Sequence, residues 1–237
     1  MSEYLDEEPK TEYHKIDSVF MRDPETRYQT FLTGQFTCPE FEALRGCDWV
    51  GTEKIDGTNI RVEFDAFDAQ IVFKGRTSRA QIPSHLLEAL QRTFDAEKVD
   101  EVLRGKHYRS RGEAPWITLY GEGYGARIQK GGGNYIPDGC GFILFDIQIG
   151  NVWMQRDAVS GIGAQLGLSV VPEVYLGNLD GAIQLVREGF TSQVAIRENT
   201  LAEGLVLRPR VELLNRMGRR IITKLKHKDF LADSSSA

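Results

Sequence analysis

Residues 53–59 read EKIDGTN. The stretch sits between two apolar segments. Trp49, Val50 and Ile55 precede or enter it, and Ile60, Val62 and Phe64 alternate after it. That pattern predicts two strands meeting at a turn that contains Gly57. The join holds a lysine, Lys54, with Glu53 on one side and Asp56 on the other. An ordinary lysine is protonated and cannot attack anything. Held among other cations, or partly desolvated, it releases a proton more readily and becomes a nucleophile. The plain alternative is a solvated side chain at a strand end, paired with Glu53, and one lysine does not decide between the two.

Working outward, the first fifty residues carry short apolar patches such as SVF and FLTGQF, read as a strand or two with loops that cover the sheet. AQIVFKGRTS (69–78), WITLYGEGYG (116–125), GFILFDIQIGNVWM (141–154) and SVVPEVYLG (169–177) read as strands or strand-turn units. SHLLEALQRTFDAEKVDEVL (84–103) is the clearest helix, with Leu86, Leu87, Leu90 and Phe94 at helical spacing and Ser84 as its N-cap. RDAVSGIGAQLGL and LDGAIQLVREGF are two further helices, the second with Asp180 near its start. EGLVLRPR (203–210) and RRIITKLKHK (219–228) are the last strands. Strands and helices mix without regular βαβ alternation. The fold class is therefore α+β, with largely antiparallel sheets flanked by helices. No linker or repeat divides the chain, so a single domain spanning 1–237 is expected: a cover segment at 1–48, a core at 49–230 and a frayed tail at 231–237.

Composition narrows the function classes. Hydrophobic content of 41% suits a packed core, and no apolar run approaches the ~20 residues of a membrane span, so no membrane partner is expected. The acidic, polar N-terminus has no signal-peptide core, and three scattered cysteines (Cys38, Cys47, Cys140) fit neither a disulfide framework nor a metal motif. Both point to a cytoplasmic setting. The net charge of −5 argues against nucleic acid, but its distribution argues for it. Base is concentrated at 104–111 (RGKHYRSR) and 207–228, where it offers a local face to a phosphate backbone.

Standard nucleotide motifs are missing. GEGYGA (121–126) imitates part of a dinucleotide fingerprint, but RIQKGGGNY follows it where a helix N-terminus should hold the pyrophosphate. There is no G-x-x-x-x-G-K-[ST] loop, and the four histidines show no zinc spacing.

The pattern Lys54-Ile55-Asp56-Gly57-Thr58-Asn59 resembles the nucleophile motif of the covalent nucleotidyltransferases: ATP-dependent RNA and DNA ligases and mRNA capping enzymes. Further elements resemble that superfamily's remaining motifs in the same order. They are KGRTSR (74–79), LYGEGYG (119–125), FILFDIQ (142–148), EGLVLRP (203–209) and ITKLKHKDF (222–230). EKIDGTN and TKLKHKDF are most similar to the RNA ligase 2 branch. The resemblance implies an ATP-grasp-like ligase adenylation domain and three in-line transfers. Lys54 takes AMP from ATP, AMP passes to a 5′-phosphate end, and a 3′-hydroxyl then displaces AMP. RNA is the implied partner, with its ends nicked or single-stranded.

The resemblance also assigns roles. Lys224 and Lys226 flank Leu225 on a strand and so share a face. There they contact the α-phosphate, and their charge favours the neutral amine of Lys54. Glu203 is the metal-binding carboxylate for Mg²⁺ or Mn²⁺, with Asp56 holding one of the ion's waters. Glu122 and Asn59 address the ribose, and Arg76 the ribose or phosphate, with Arg79 competing for that place. Phe145 stacks on adenine, although a core phenylalanine fits the same strand. Glu53 accepts from the adenine amine, and Ile55 completes the nucleotide contact.

Ligases of this superfamily carry a second domain after the last motif, whereas this chain ends seven residues after Phe230, as a bare nucleotidyltransferase domain would. The basic runs are expected to substitute for it. The alternatives are a minimal ATP-dependent DNA ligase, a capping guanylyltransferase and a non-catalytic module that binds RNA ends.

Overall fold

The computed structural model describes residues 12–65, 69–108 and 116–231, with backbone alone at 104–108. The N-terminal part of the cover segment, the tail from 232, and Arg109 and Arg111 of the first basic run lie outside the described residues.

Thirteen strands and six α-helices follow in chain order among the described residues. The first group is β1 (Asp17–Ser18), β2 (Phe20–Arg22), β3 (Phe31–Phe36), α1 (Pro39–Ala43), β4 (Trp49–Glu53), β5 (Thr58–Asp65) and β6 (Gln70–Gly75). Next come α2 (Ser84–Thr93), α3 (Ala96–Tyr108), β7 (Trp116–Gly125), β8 (Cys140–Ile149) and β9 (Val152–Trp153). The last are α4 (Arg156–Leu166), β10 (Ser169–Val170), β11 (Glu173–Gly177), α5 (Leu179–Glu188), β12 (Gly204–Pro209), β13 (Thr223–Lys226) and α6 (Lys228–Leu231). No helix among the described residues is long and apolar enough to cross a membrane.

The chain packs as two compact units. One contains 12–14 and 57–170, the other 15–56 and 171–231. In the first, the sheet runs β10-β8-β7-β5-β6, with β9 on β8. Only the β10–β8 pair is parallel. Ile60, Val62 and Phe64, alternating along β5, face one core with Leu119, Leu144 and Ile147. Leu86 and Leu90 of α2, one turn apart, and Val159 and Leu166 of α4 close it. In the second unit the sheet runs β1-β13-β12-β4-β11, and β2 and β3 form a separate ribbon. Trp49, Leu205, Leu207 and Leu225 are wholly buried there against Leu179, Ala182, Ile183 and Val186, the helical stripe of α5.

The α+β class and the antiparallel sheets agree with the sequence reading, and several boundaries differ. The two strands around EKIDGTN do not pair with each other: β4 joins one sheet and β5 the other. The long helix at 84–103 is two helices. Phe94 is extended, and Asp95 Oδ1 accepts from the N–H groups of Glu97 and Lys98, so a new N-terminus begins there. Ser84 is the first residue of α2 and not its cap, a position held by Pro83. SVVPEVYLG divides at Val171-Pro172 into β10 and β11, because proline brings no N–H to a ladder.

Candidate active site

In the second unit, strands β13, β12 and β4 lie side by side. Glu53, the last residue of β4, pairs with Leu205, and Gly204 at the start of β12 pairs with Lys226 at the end of β13. Lys54 N donates to Gly204 O at 2.9 Å, which fixes the backbone of the lysine beside that of its neighbour. Three strand ends thus bring together side chains from 54, 203 and 226.

Glu203 bridges the two amines. Its Oε2 lies 2.6 Å from Lys54 Nζ and its Oε1 lies 2.7 Å from Lys226 Nζ. The three side chains are 20%, 14% and 23% exposed, enough for an incoming ligand to reach them. Burial alone would raise the Glu203 carboxyl. The charges and hydrogen bonds of Lys54 and Lys226 outweigh burial and hold it below the usual carboxylate range. Asp56, half-buried, is raised first by burial and then by the Glu203 charge, against the pull of Lys54, Lys226 and Lys228.

A carboxylate that the sequence reading assigned to metal thus stands between Lys54 and Lys226. The same-face reading of β13 holds, since Lys224 and Lys226 are half-buried while Thr223 and Leu225 are wholly buried.

A glycine makes the bridge possible. Gly204 has φ +153°, and a Cβ there would lie 1.9 Å from the Leu225 carbonyl oxygen. Only glycine lets Glu203 enter β12 at this angle.

Glu53 has partners within the protein. It is 1% exposed, its Oε1 accepts a short bond from Ser192 Oγ, and its Oε2 accepts from Gln193 N at 2.8 Å. Burial raises its carboxyl. Ser192 Oγ in turn accepts from Val194 N and Ala195 N. The carboxylate next to Lys54 thus holds the 192–195 turn. No signal in the sequence links residues 139 positions apart. Ile55 is buried, and its carbonyl lies 3.5 Å from Lys54 Nζ.

In the first unit, Asn59 on β5 stands opposite Glu122 on β7. Both are half-buried, and Asn59 Oδ1 is buried with no hydrogen-bond partner, a polar atom left for a ligand. Gly57 sits against this pair. A Cβ on it would lie 2.4 Å from Gly123 O and 2.7 Å from Glu122 Cγ.

Phe145 occupies a break in the ladder. Tyr120 faces Asp146, while Gly121 faces Leu144, so Phe145 is the extra residue of a β-bulge. Its neighbours Leu144 and Asp146 are wholly buried, whereas Phe145 is half-buried, edge-on to the buried Tyr13 with ring centroids 5.2 Å apart. Arg76 and Arg79 are both exposed in the turn after β6, which does not choose between them.

The sequence reading missed a buried charge cluster on β5. Arg61 is 1% and Glu63 3% exposed. Arg61 Nη1 lies 3.1 Å from Glu63 Oε1, Lys74 Nζ lies 2.8 Å from Glu63 Oε2, and Arg61 Nε donates to Gly75 O at 2.9 Å. This cluster pins the end of β6 just before the turn that carries Arg76 and Arg79.

Among the described residues no group of three or more His, Cys, Asp or Glu side chains gathers to hold a metal. What is present is one accessible carboxylate, Glu203, with a second, Asp56, whose charge it repels. That donor set fits a hard divalent cation that keeps most of its waters and shares them with phosphate oxygens.

Solved structures share this fold. The solved RNA ligase of Naegleria gruberi, in a mutant form with ATP and Mn, matches at TM-score 0.61 and 19% identity, over 94% of this chain and 58% of that one. A second mutant with ATP and Mn matches at TM-score 0.59 and 20% identity, over 84% and 54%, and an apo mutant at 0.59 and 19%, over 84% and 55%. The chain spans little more than half the length of these ligases. No curated protein sequence matches it. The fold is similar to that of these RNA ligases. The RNA ligase family profile matches residues 48–226, and the chain belongs to the RNA ligase family.

Proposed function

We propose that the chain is an ATP-dependent RNA ligase that carries AMP on Lys54 and joins a 3′-hydroxyl to a 5′-phosphate end. The observation that carries this reading is the Lys54–Glu203–Lys226 bridge at three adjacent strand ends. In the first step the Lys54 nitrogen bonds to the α-phosphorus of ATP, the bond to the β-phosphate oxygen breaks, and pyrophosphate leaves. The proton in contact with Glu203 Oε2 is the one the amine must lose. As Lys54 gives up its charge, the attraction that depresses Glu203 weakens, and the carboxylate becomes a better acceptor. Lys224 and Lys226 supply positive charge to the phosphoryl oxygens. Mg²⁺ or Mn²⁺, held by Glu203 with Asp56 through a water, would neutralise further charge during transfer.

Residues 49–230 serve in this reading as one adenylyltransferase module. The roles of Arg76, Asn59, Glu122 and Phe145 toward nucleotide rest on the resemblance, supported by the orphaned Asn59 oxygen and the bulged Phe145. Three free cysteines suit the reducing, ATP-rich cytoplasm.

The test is incubation with labelled ATP and manganese, followed by nicked duplexes with RNA or DNA on the 3′-hydroxyl side. Label on the protein and sealing of RNA ends support the reading. Preference for DNA ends would make the chain a DNA ligase, and end binding without label a non-catalytic module.

A further inference from the structure

Between β12 and β13 the chain forms an ordered hairpin at 210–221. Leu214 and Arg220 form an antiparallel bridge, and Ile221 N donates to Leu213 O at 2.9 Å. The tip closes where Asn215 N donates to Arg219 O at 2.8 Å, and Asn215 Oδ1 accepts from Met217 N and Arg219 N at 3.0 Å each. Gly218 takes the left-handed turn position at φ +71°. At the base, the buried Arg220 forks onto Glu212 through Nε at 3.1 Å and Nη2 at 2.8 Å.

This well-fixed element presents an unusual surface. Val211, Leu214 and Met217 are 70%, 63% and 71% exposed. Among them stand Arg216 and Arg219, also exposed and without a carboxylate partner among the described residues, and Arg210, whose nearest carboxylate oxygen, on Asp48, is 3.6 Å away. Residues 208–220 hold five arginines against one glutamate, in a chain of net charge −5. The one glutamate is spent on Arg220.

We infer that this hairpin is a grip for double-stranded RNA beside the join, an inference that rests on the ligase reading of the same sheet. Three features select the occupant. The unpaired guanidiniums complement a phosphate backbone. No Phe, Tyr or Trp occurs between 204 and 229, so the surface offers no stacking platform for unpaired bases. A narrow ribbon with aliphatic tips suits the wide, shallow minor groove of an RNA duplex, which is read by shape and backbone contact. Placement agrees. Glu203 and Lys226 lie at one end of the β12–β13 pair and the hairpin leaves the other, about 17 Å away along the six-residue strand at ~3.3 Å per residue. A duplex whose end lies at Lys54 would reach it.

The experiment measures binding of a nicked RNA duplex and of its separate strands across a salt series, with lysine adenylylation and sedimentation recorded on the same proteins. The wild type should prefer the duplex. Arg216→Glu with Arg219→Glu should weaken duplex binding at least tenfold and flatten the salt slope by about two. Arg216→Lys with Arg219→Lys should retain most of it, and both pairs should adenylylate normally. Unchanged duplex binding in the Glu pair would overturn the inference. So would equal affinity for single strands, or a wild-type dimer that Leu214→Ser with Met217→Ser dissolves, which would make the patch a protein interface. A wild type that binds duplex through the hairpin yet forms no lysine adduct would sink the ligase reading and leave this one standing.

Discussion

The Nζ of Lys54 lies 2.6 Å from Oε2 of Glu203. The lysine with the sequence signature of a nucleophile is thus paired with the carboxylate assigned to a metal, which in turn holds Lys226. In the proposed reaction, attack by Lys54 parts this bridge. The ion pair stores the amine in place and prevents a bare charge from facing a half-buried site.

Acid titration reports the bridge. The folded-state carboxyl of Glu203 is lowered from its ordinary value of 4.5. Its contribution to stability is complete above 4.5 and is lost as pH falls through the lower folded value. Asp56 titrates in the opposite sense, since its raised carboxyl penalises folding above its ordinary 3.8. In an Asp56→Asn background, Glu203→Gln should therefore flatten the loss of stability below pH 4.5, measured by urea unfolding. Parallel curves with and without Glu203 would show that the bridge contributes nothing.

Ser192→Ala should destabilise the protein by about 1–3 kcal/mol, because the buried Glu53 oxygen loses a donor and two backbone N–H groups lose an acceptor. Urea unfolding checks it, and a change below a few tenths of a kcal/mol would contradict it.

Glu63→Ala should cost about 3–5 kcal/mol, since it removes the buried carboxylate that pairs with both Arg61 and Lys74. Replacing both, with Arg61→Met and Glu63→Leu, should recover most of that loss in thermal unfolding. A double variant as unstable as the single one would mean that packing, not charge, sets the cost.

Sequence alone carried part of this picture. The alternation of Ile60, Val62 and Phe64 marked β5 because one face of that strand meets the core. The same alternation did not reveal the pairing of Arg61 and Glu63. Charged residues on the second face of a strand read as solvated, yet here they neutralise each other in the interior. Lys54, Glu203 and Lys226 were legible as motifs, whereas their bridge needed three strand registers that no local pattern encodes. The partners of Glu53 at 192 and 193 were hidden for the same reason: they come from a distant turn. The division of the helix at Asp95 was written in the sequence as a capping residue, but the apolar period of 84–103 ran across it.

Phe145→Ala should weaken ATP binding by about 1–3 kcal/mol, the range for stacking on one base. Its cost to stability should stay below the roughly 3–5 kcal/mol of a fully buried phenylalanine, because the half-buried ring touches Tyr13 but joins neither core cluster. Calorimetry of ATP binding and thermal unfolding separate the two effects. A large loss of stability with unaltered binding would return Phe145 to a packing role.

The most direct measurement is the intact mass of the protein after exposure to ATP and Mn²⁺, for the wild type and for Lys54→Ala. The account predicts one AMP adduct on the wild type, mapped to Lys54 by peptide analysis, and none on Lys54→Ala. An adduct that persists in Lys54→Ala, or maps to another side chain, would contradict it.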